Sequence, residues 1–355
     1  MFDLHLIESG PEAKADVSQE DALNMCREMI RIREMELVLA SLYEKKMVRG
    51  FCHLGIGQEA IPAGISQLLD PEDVLVTSYR CHGYALVSGI DPKEIICEQV
   101  GSSDGCSKGK GGSMHLFGKR FLGGHGIVGA QVPLGVGAAF AAKYKTLLND
   151  ARCFKGDAEG DAAGLWTKNA WKQNGCSSVV VCVFGDGAAN QGQVYEAMNM
   201  AAIWRLPIVF ICENNRYGMG THIERVSASA SVYDRFSFIA GVRIDSVDAA
   251  VVREGFRFAR EHAIKQGPVI LEVVSYRYND HSMSDTFTGY RDAEEIEKHR
   301  KKDSIEEMKK YLGKEAEKIV QEMKKEAEVE MNTIKEIAMN SPRCTISDLY
   351  TDVLI

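Results

Sequence analysis

Short apolar runs alternate with longer amphipathic segments along most of this chain. Residues 179–184 and 208–212 are apolar, rich in β-branched side chains and bounded by polar residues, which predicts two buried strands. Between them, residues 193–204 carry apolar side chains at helical spacing. The three segments predict a strand–turn–helix–strand unit with polar residues after each strand, at the edge where open parallel sheets bind ligands.

The same alternation continues on both sides of this unit. Ser18 is a candidate N-cap for a long helix at residues 20–47. Further strands are predicted at residues 74–77, 241–245 and 268–276, and further helices at residues 131–142, at residues 249–265 and as a pair around Gly313 in the Lys/Glu-rich segment 294–339. This order predicts an α/β fold with a mostly parallel sheet, helices on both faces and a helical C-terminal region.

Composition narrows the function classes without identifying one. The net charge of −8 gives no electrostatic reason to expect nucleic acid or a membrane surface as a partner. No apolar run approaches the length of about 18 residues that a transmembrane helix needs. The ten cysteines include no C-x-x-C pair, as expected for reduced core residues of an intracellular protein. The N-terminal segment is acidic and lacks Arg in its first 18 residues, unlike a mitochondrial transit peptide.

Polar residues after the two central strands predict a site for a divalent cation and a diphosphate. Asp186 can supply a carboxylate oxygen, Asn215 an amide oxygen and Tyr217 a backbone carbonyl, and Mg²⁺ prefers such ligands together with phosphate and water. Gly185 and Gly187 allow the backbone to approach an anion, and the following helix points its N-terminus at the same place. A lone Gly-Asp-Gly is usually only a turn, but the spacing to the Asn-Asn pair fits one crossover helix and a return strand.

Several motifs resemble one family of thiamine-diphosphate enzymes. GDG followed by NN is similar to the thiamine-diphosphate motif, and GDGAANQGQ with ICENNRYGMGT resembles the alpha subunits of the acetyl-transferring pyruvate dehydrogenase component. The similarity extends over residues 49–291 and also includes RGFCHLGIGQEA, SYRCHGYALVSG, SKGKGGSMHLF, GGHGIVGAQVPLG and YRYNDHSMSD. The resemblance implies thiamine diphosphate and Mg²⁺ as cofactors, and oxidative decarboxylation of pyruvate with reductive acetylation of a lipoyl group.

The resemblance also implies which residues form the site. It makes His53 and His281 the catalytic residues, with His53 over the cofactor and His281 near the thiazolium ring, and it assigns Arg80 to the diphosphate. The implied cofactor contacts are His53, Tyr79, Arg80, Gly118, Gly126, Val128, Asp186, Gly187, Ala188, Asn215, Tyr217 and His281, of which Asp186, Asn215 and Tyr217 would hold the metal. For His82, a contact with the cofactor and a role in organising its loop both stay open.

The chain departs from the family pattern at a few positions. Relatives commonly have His-Gly where this chain has Asn279-Asp280, which removes a second candidate histidine and puts the loop conformation in doubt, and often Ala where this chain has Gly118. Residues 150–175 are an insertion, which we interpret as a surface excursion or, alternatively, as a contact with a partner subunit. We expect residues 1–18 to be a flexible arm, 19–291 to form one cofactor-binding α/β domain and 292–355 to be a helical extension packed on it.

Ser282 is a candidate regulatory residue. It matches a serine that a dedicated kinase phosphorylates in animal relatives, and phosphate there would add charge and bulk at the mouth of the site. The two other regulatory positions of those relatives hold His222 and Gly289, which have no hydroxyl group.

The expected enzyme needs partners. Activation of the cofactor needs a carboxylate on its pyrimidine ring, and this chain offers no convincing candidate; the resemblance implies that a beta subunit supplies it within a two-alpha, two-beta tetramer. The acyl group would then pass to a lipoyl-bearing acetyltransferase core. An acetoin or branched-chain 2-oxo acid dehydrogenase subunit and a non-catalytic diphosphate-binding subunit are the alternatives. The resemblance implies a mitochondrion or related organelle, while the N-terminal composition leaves the cytoplasm open.

Overall fold

The computed structural model describes residues 2–12, 17–149, 176–285 and 289–352. The predicted insertion at residues 150–175 therefore lies outside the described residues, together with Trp166 and Trp171. In the described part, strands and helices alternate along the chain, which confirms the predicted α/β class.

A seven-stranded sheet forms the centre of the described part. The described residues form nine strands, seven in this sheet and two in a separate pair: β1 (Phe2–His5), β2 (Val74–Ser78), β3 (Phe121–His125), β4 (Val180–Gly185), β5 (Ile208–Asn214), β6 (Tyr217–Gly218), β7 (Thr221–His222), β8 (Ala240–Ile244) and β9 (Val269–Val274). The sheet order is β1-β8-β9-β5-β4-β2-β3, with β6 and β7 forming a separate antiparallel pair. All neighbouring strands of the large sheet are parallel except β1 and β8.

Helices cover both faces of this sheet. They are α1 (Gln19–Glu44), α2 (Ala60–Ser66), α3 (His82–Val87), α4 (Pro92–Gln99), α5 (Gln131–Asn149), α6 (Gly192–Ile203), α7 (Ala249–Lys265), α8 (Ala293–Arg300), α9 (Ser304–Leu312) and α10 (Ala316–Asn340). Successive side chains of β4 point to opposite faces of the sheet. Val181 and Val183 pack in one hydrophobic cluster with α1, α3, α4 and α7. Cys182 and Phe184 pack on the opposite face with α5 and α6. Parallel strands buried on both faces explain why β4 and β5 are almost continuously apolar in sequence.

The C-terminal region contains one more helix than we predicted. Gly313, with φ +79°, separates α9 from α10 as expected. A further break at residues 301–303 separates α8 from α9, because the Asp303 side chain accepts a hydrogen bond from the Ile305 N–H and caps α9. Apolar residues of α9 and α10, including Met308 and Val320, pack against α1.

The N-terminal segment differs from the expected flexible arm at residues 2–5. These residues form β1, which pairs antiparallel with β8 at the edge of the sheet. The Asp3 carboxylate accepts a hydrogen bond from Arg243 at 2.8 Å, and a hydrogen bond of 3.1 Å joins His5 Nε2 to the Phe236 carbonyl. Backbone pairing and these two contacts hold a segment whose composition alone gives no strand signal. Ser18 caps α1 as predicted, with its side chain accepting from the Asp21 N–H.

Two further observations concern the described residues. None of their helices combines the length and the apolar character required to cross a membrane. Their cysteines are free, and most of them are buried in the core, in agreement with the interpretation of reduced core residues.

Candidate functional site

Neighbouring parallel strands end at one edge of the sheet, and most of the predicted site residues follow them there. In spatial order, the residues after these strands are His281 (after β9), Asn215 (after β5), Asp186 (after β4), Tyr79 and Arg80 (after β2) and residues 126–128 (after β3). Residues far apart in sequence therefore meet because their strands are neighbours, as the general rule for ligand sites in parallel sheets predicts.

His53 reaches this edge on the loop between α1 and α2. Two backbone hydrogen bonds, at 2.8 and 2.9 Å, join residues 52–56 to residues 278–283, the segment that carries His281. Gly57 has φ +96°, and a Cβ atom there would collide with the Tyr276 carbonyl oxygen. Only glycine permits both this conformation and this close approach, so Gly57 helps to hold the two histidine loops together.

The two histidines form an aromatic group with Tyr79, in which His53 is buried and the other two residues are half-buried. The ring of His53 lies edge-on to that of His281, with centroids 5.2 Å apart, and 4.2 Å from the ring of Tyr79. Burial, followed by the charge of Arg80, lowers the pKa of His53 to about 2 and that of His281 to about 3. Both rings are therefore neutral near pH 7. Their Nδ1 atoms are buried without a hydrogen-bond partner among the described residues, which leaves them available to a ligand.

A cavity of about 280 Å³ opens beside these rings. The predicted site residues that line it are Tyr79, Arg80, Val128, Asp186, Gly187, Ala188, Asn215, Tyr217 and His281. His53, Gly118 and Gly126 are not part of the lining. His53 lies behind Tyr79 and His281, whose rings it contacts. A side chain at Gly118 would meet Ile90, and one at Gly126 would meet His115. These two glycines therefore act on loop packing in this structure.

Asp186 is the central acidic group of this cavity. Only 2% of its surface is exposed, and burial raises the pKa of its carboxyl to about 6, although nearby backbone N–H groups, including that of Asn215, oppose the rise. The Asn215 amide oxygen accepts a hydrogen bond of 3.2 Å from the Tyr217 N–H, which fixes the turn after β5. A divalent cation would favour the ionised form of Asp186 in this low-dielectric setting.

The donor set fits Mg²⁺ better than a transition metal. No group of three or more His, Cys, Asp or Glu side chains in the described part of the chain could hold a metal ion. A cation beside Asp186 would therefore rely on amide and carbonyl oxygens and on ligand phosphates, which are typical of magnesium. Gly187 also lies close to Gly218, since a Cβ atom on Gly187 would be 3.2 Å from the Gly218 Cα. The turns after β4 and β5 thus approach each other as a diphosphate site requires.

Arg80 ties the two histidine loops together. Its guanidinium donates one hydrogen bond to the Leu54 carbonyl, next to His53, and another of 3.1 Å to the His281 carbonyl. Only 7% of the surface of Arg80 is exposed, and the residue lines the cavity, so its charge acts on both rings and on any anion bound there. Positioning of the loops is thus a second role, which the sequence did not indicate.

Glu213 is a cavity residue that the sequence reasoning missed. It lies near the end of β5, accepts a hydrogen bond of 3.0 Å from the Tyr84 hydroxyl and is buried. Burial raises the pKa of its carboxyl to about 7, while the Arg80 charge opposes the rise. A single carboxylate in an otherwise apolar strand was the available signal.

Arg277 was missed as well, and it explains how the unusual Asn279-Asp280 loop is held. Its side chain is buried and donates to the Asn279 carbonyl at 3.0 Å and to the Met219 carbonyl at 2.8 Å. Arg291 donates a second hydrogen bond to the Asn279 carbonyl at 2.7 Å, and its guanidinium lies 3.7 Å from the Asp280 carboxylate. The loop before His281 is therefore held through backbone contacts that do not require the His-Gly pair of relatives.

His82 organises the loops behind the cavity. It is fully buried, with hydrogen bonds of 2.9 Å from Nδ1 to Glu36 Oε2 and 3.0 Å from Nε2 to the Ser113 hydroxyl. Glu36 also accepts a hydrogen bond from the Gly55 N–H, on the loop that carries His53. Of the two roles left open by the sequence, the observed contacts are those of a loop-organising residue.

The glycine-rich segment 101–126 is shaped around one buried carboxylate. Glu98 accepts hydrogen bonds of 2.7–3.1 Å from four backbone N–H groups between residues 107 and 112. The end of the segment forms β3 and leads to Val128 at the cavity. Hydrogen bonds to this buried carboxylate thus hold a segment whose many glycines disfavour helices and strands.

Ser282 lies beside the candidate catalytic His281. Its hydroxyl is 3.0 Å from that of Ser284, and the residue is buried. A kinase would reach this hydroxyl only after the loop opens.

Comparisons with known proteins give consistent matches. The sequence profile of the family described as "Dehydrogenase E1 component" matches residues 27–347. The chain is 46% identical to the mitochondrial pyruvate dehydrogenase E1 component subunit alpha, somatic form, of Homo sapiens, over 84% of this chain and 70% of that protein. It is 41% identical to the mitochondrial type II alpha subunit of Ascaris suum, over 98% of this chain and 88% of that one.

Proposed function

This chain belongs to the dehydrogenase E1 component family, and we propose that it is the alpha subunit of a pyruvate dehydrogenase, which decarboxylates pyruvate oxidatively and transfers the acetyl group to a lipoyl group. The family depends on thiamine diphosphate. When bound, this cofactor would supply a nucleophilic carbon for the 2-oxo group and a place for the electron pair that stays behind when CO₂ leaves. The role of this chain is to bind the cofactor, keep water out and handle protons.

We propose that Asp186, the Asn215 amide oxygen and the Tyr217 carbonyl hold Mg²⁺ on the diphosphate. The support is the position of all three at one cavity, after the neighbouring strands β4 and β5. The buried Asp186 carboxyl, with a pKa raised to about 6 by burial, would gain a counter-charge from the cation. Arg80 adds positive charge for the anion. The close approach of Gly187 to Gly218 lets the anion come near the backbone.

We propose His53 and His281 as the residues that hold and move protons beside the substrate. The single observation that carries this assignment is their edge-on pair, in which both Nδ1 atoms are buried and unpartnered among the described residues. Because their pKa values are lowered, both rings are neutral near pH 7, and a neutral imidazole donates a hydrogen bond from one nitrogen and accepts one at the other. Arg80, which donates hydrogen bonds to both loops, would hold the two histidines in their relative positions.

A beta subunit is the expected partner of an alpha subunit in this family, and we propose that it completes the site in a two-alpha, two-beta tetramer. Exposed apolar side chains near the cavity support a protein partner. Met219, which lines the cavity, is exposed by 51%, Ile127, next to Val128, by 73%, and Phe51, whose ring lies 6.2 Å from that of His53, by 57%. Apolar groups concentrated at the mouth of a polar cavity are typical of an interaction surface. The beta subunit would supply the carboxylate for the pyrimidine ring, and a lipoyl-bearing acetyltransferase would accept the acetyl group.

The relatives are named as mitochondrial proteins, so we propose a mitochondrion or a related organelle as the location. Cell fractionation with an antibody against this chain tests it. Recovery in the cytosolic fraction alone would contradict the proposal.

The activity is tested by 2-oxo acid oxidation with an artificial electron acceptor. The chain is co-expressed with its candidate beta partner and assayed with thiamine diphosphate and Mg²⁺ on pyruvate, branched-chain 2-oxo acids and acetoin. Activity on pyruvate that requires both chains is expected. Preference for another substrate would reassign the enzyme, and a tetramer that binds cofactor without turnover would indicate a non-catalytic subunit.

A further inference from the structure

A second cavity, of about 490 Å³, lies beyond the carboxyl ends of β8 and β9. Arg216 enters it from the turn after β5, Lys298 and His299 from the end of α8, and Lys302 from the segment that follows. Arg216 does not line the first cavity, although its neighbours Asn215 and Tyr217 do. The turn after β5 therefore separates two cavities at the same edge of the sheet.

The second cavity is lined by three basic side chains without an ion-pair partner among the described residues and by two acidic side chains that have one. Its two acidic lining residues have partners outside the lining: Asp245 pairs with Arg243 at 3.1 Å, and Glu307 pairs with Lys310 at 3.4 Å. Each of these cations also pairs with a second carboxylate, Arg243 with Asp3 and Lys310 with Asp248. Arg216, Lys298 and Lys302 have no carboxylate within ion-pair distance among the described residues. The nearby Glu295 accepts a hydrogen bond of 3.0 Å from the Tyr217 hydroxyl. Three basic side chains that form no ion pair among the described residues, those of Arg216, Lys298 and Lys302, thus line one space.

Stabilisation of α8 explains the presence of only some of these basic residues. Basic residues in the last turn of α8 favour its C-terminal dipole, which accounts for Lys298 and His299. Lys302 lies beyond the helix, and Arg216 lies on a different segment. Arg216 also has φ +68°, an uncommon conformation for a residue other than glycine, and its N–H donates to the Asn214 side chain at 3.1 Å. This hydrogen bond holds the backbone at Arg216, the residue that lines the cavity from the turn after β5.

We propose that the second cavity binds a phosphate group, either as free phosphate or carried by a small organic molecule. The arginine guanidinium offers paired donors that match phosphate oxygens, and the two lysines add point charges that can adjust to its position. The His299 ring, stacked on Tyr276 at 4.0 Å, gives a flat wall beside the cations. The volume lies within the range of about 300–1,000 Å³ that is typical of small-molecule sites. The site is separate from the cofactor site and does not depend on the proposed reaction.

The test is calorimetric titration of the alpha–beta complex saturated with thiamine diphosphate and Mg²⁺, so that the first cavity is filled. The probes are inorganic phosphate, AMP and succinate. Saturable binding of phosphate or AMP, with one site per alpha chain, is expected. Equal affinities would indicate free phosphate as the ligand, and tighter binding of AMP would indicate an organic phosphate.

The decisive variant is Lys298→Ala combined with Lys302→Ala. Both lysines are exposed, so the fold should persist, and affinity should fall at least tenfold. Lys318→Ala combined with Lys325→Ala, which removes the same charge from exposed positions on α10, is the matched control and should bind as the wild type does. Absence of saturable binding, an equal loss in both double variants, or binding of succinate as tight as that of phosphate would overturn the proposal.

Discussion

Replacement of Asp186 by asparagine tests both the electrostatics of the site and the metal assignment. Asparagine has nearly the same shape and carries no charge. If Asp186 is a metal ligand buried without its cation, Asp186→Asn should abolish Mg²⁺-dependent cofactor binding. At the same time it should stabilise the cofactor-free protein, because it removes a buried charge that nothing then balances.

The magnitude follows from the pKa of this carboxyl. Burial raises it from the ordinary 3.8 to about 6, and at about 1.4 kcal/mol per pKa unit, keeping the group ionised costs the folded state up to about 3 kcal/mol. The sign follows from linkage. The cost is absent below pH 4, grows as pH rises from about 4 to about 6, because only the unfolded chain is then ionised, and stays constant above about 6.

Urea unfolding of the cofactor-free protein at several pH values provides the assay. Asp186→Asn should unfold at a higher urea concentration than the wild type at pH 8 and at about the same concentration at pH 4. Cofactor affinity of the wild type should fall about tenfold per pH unit below about pH 6, as protonation competes with the metal. Asp234→Asn, at an exposed position, is the control. A variant that is no more stable at pH 8, or that still binds cofactor with Mg²⁺, would refute the reasoning.

Three further substitutions test the loops around the site. His281→Ala should leave cofactor affinity unchanged and lower kcat by about 10²–10⁴-fold, as expected for a lost proton-transfer group; normal kcat would exclude His281 from the chemistry. Arg277→Lys should lower the free energy of unfolding by about 1–3 kcal/mol, because one ammonium cannot serve both the Asn279 and Met219 carbonyls; urea unfolding measures it, and equal stability would contradict the contact. Glu98→Gln should cost about 1–3 kcal/mol, since its amide nitrogen would face backbone N–H groups; unchanged stability and unchanged proteolysis of residues 101–112 would contradict it.

Sequence patterns predicted the strands best where side chains are buried on both sides. The predicted strand at residues 179–184 corresponds to β4, and that at residues 208–212 to β5, to within two residues. The helix at residues 249–265 has the predicted bounds. Prediction was weaker at β1, whose pairing with β8 comes from a partner more than 230 residues away, and at the break between α8 and α9, where a local cap acts within a continuously polar segment.

The common position of Asp186 and Asn215 at one cavity was predictable from the sequence, because both belong to a compact motif. Asp186 follows β4 and Asn215 follows β5, and these two strands are consecutive in the sequence and paired in the sheet. Local sequence patterns were therefore sufficient to predict that the two residues lie close together. The contributions of Glu213 and Arg277 were not predictable in this way. Both are ordinary polar residues in the sequence, and their importance arises from burial and from the carbonyl groups that the fold places around them.

The sequence by itself determined the alternating elements, the acidic end of β4 and the family that the motifs resemble, because each depends on side chains within a few residues of one another. Only the tertiary structure decided that the rings of His53 and His281 contact each other, that Arg80 bonds to both of their loops, and that Arg216 and Lys302 face one cavity. These contacts join segments separated by tens to hundreds of residues. Their formation depends on strand order and on close backbone approaches such as that of Gly57, which no local pattern of hydrophobic and polar residues contains.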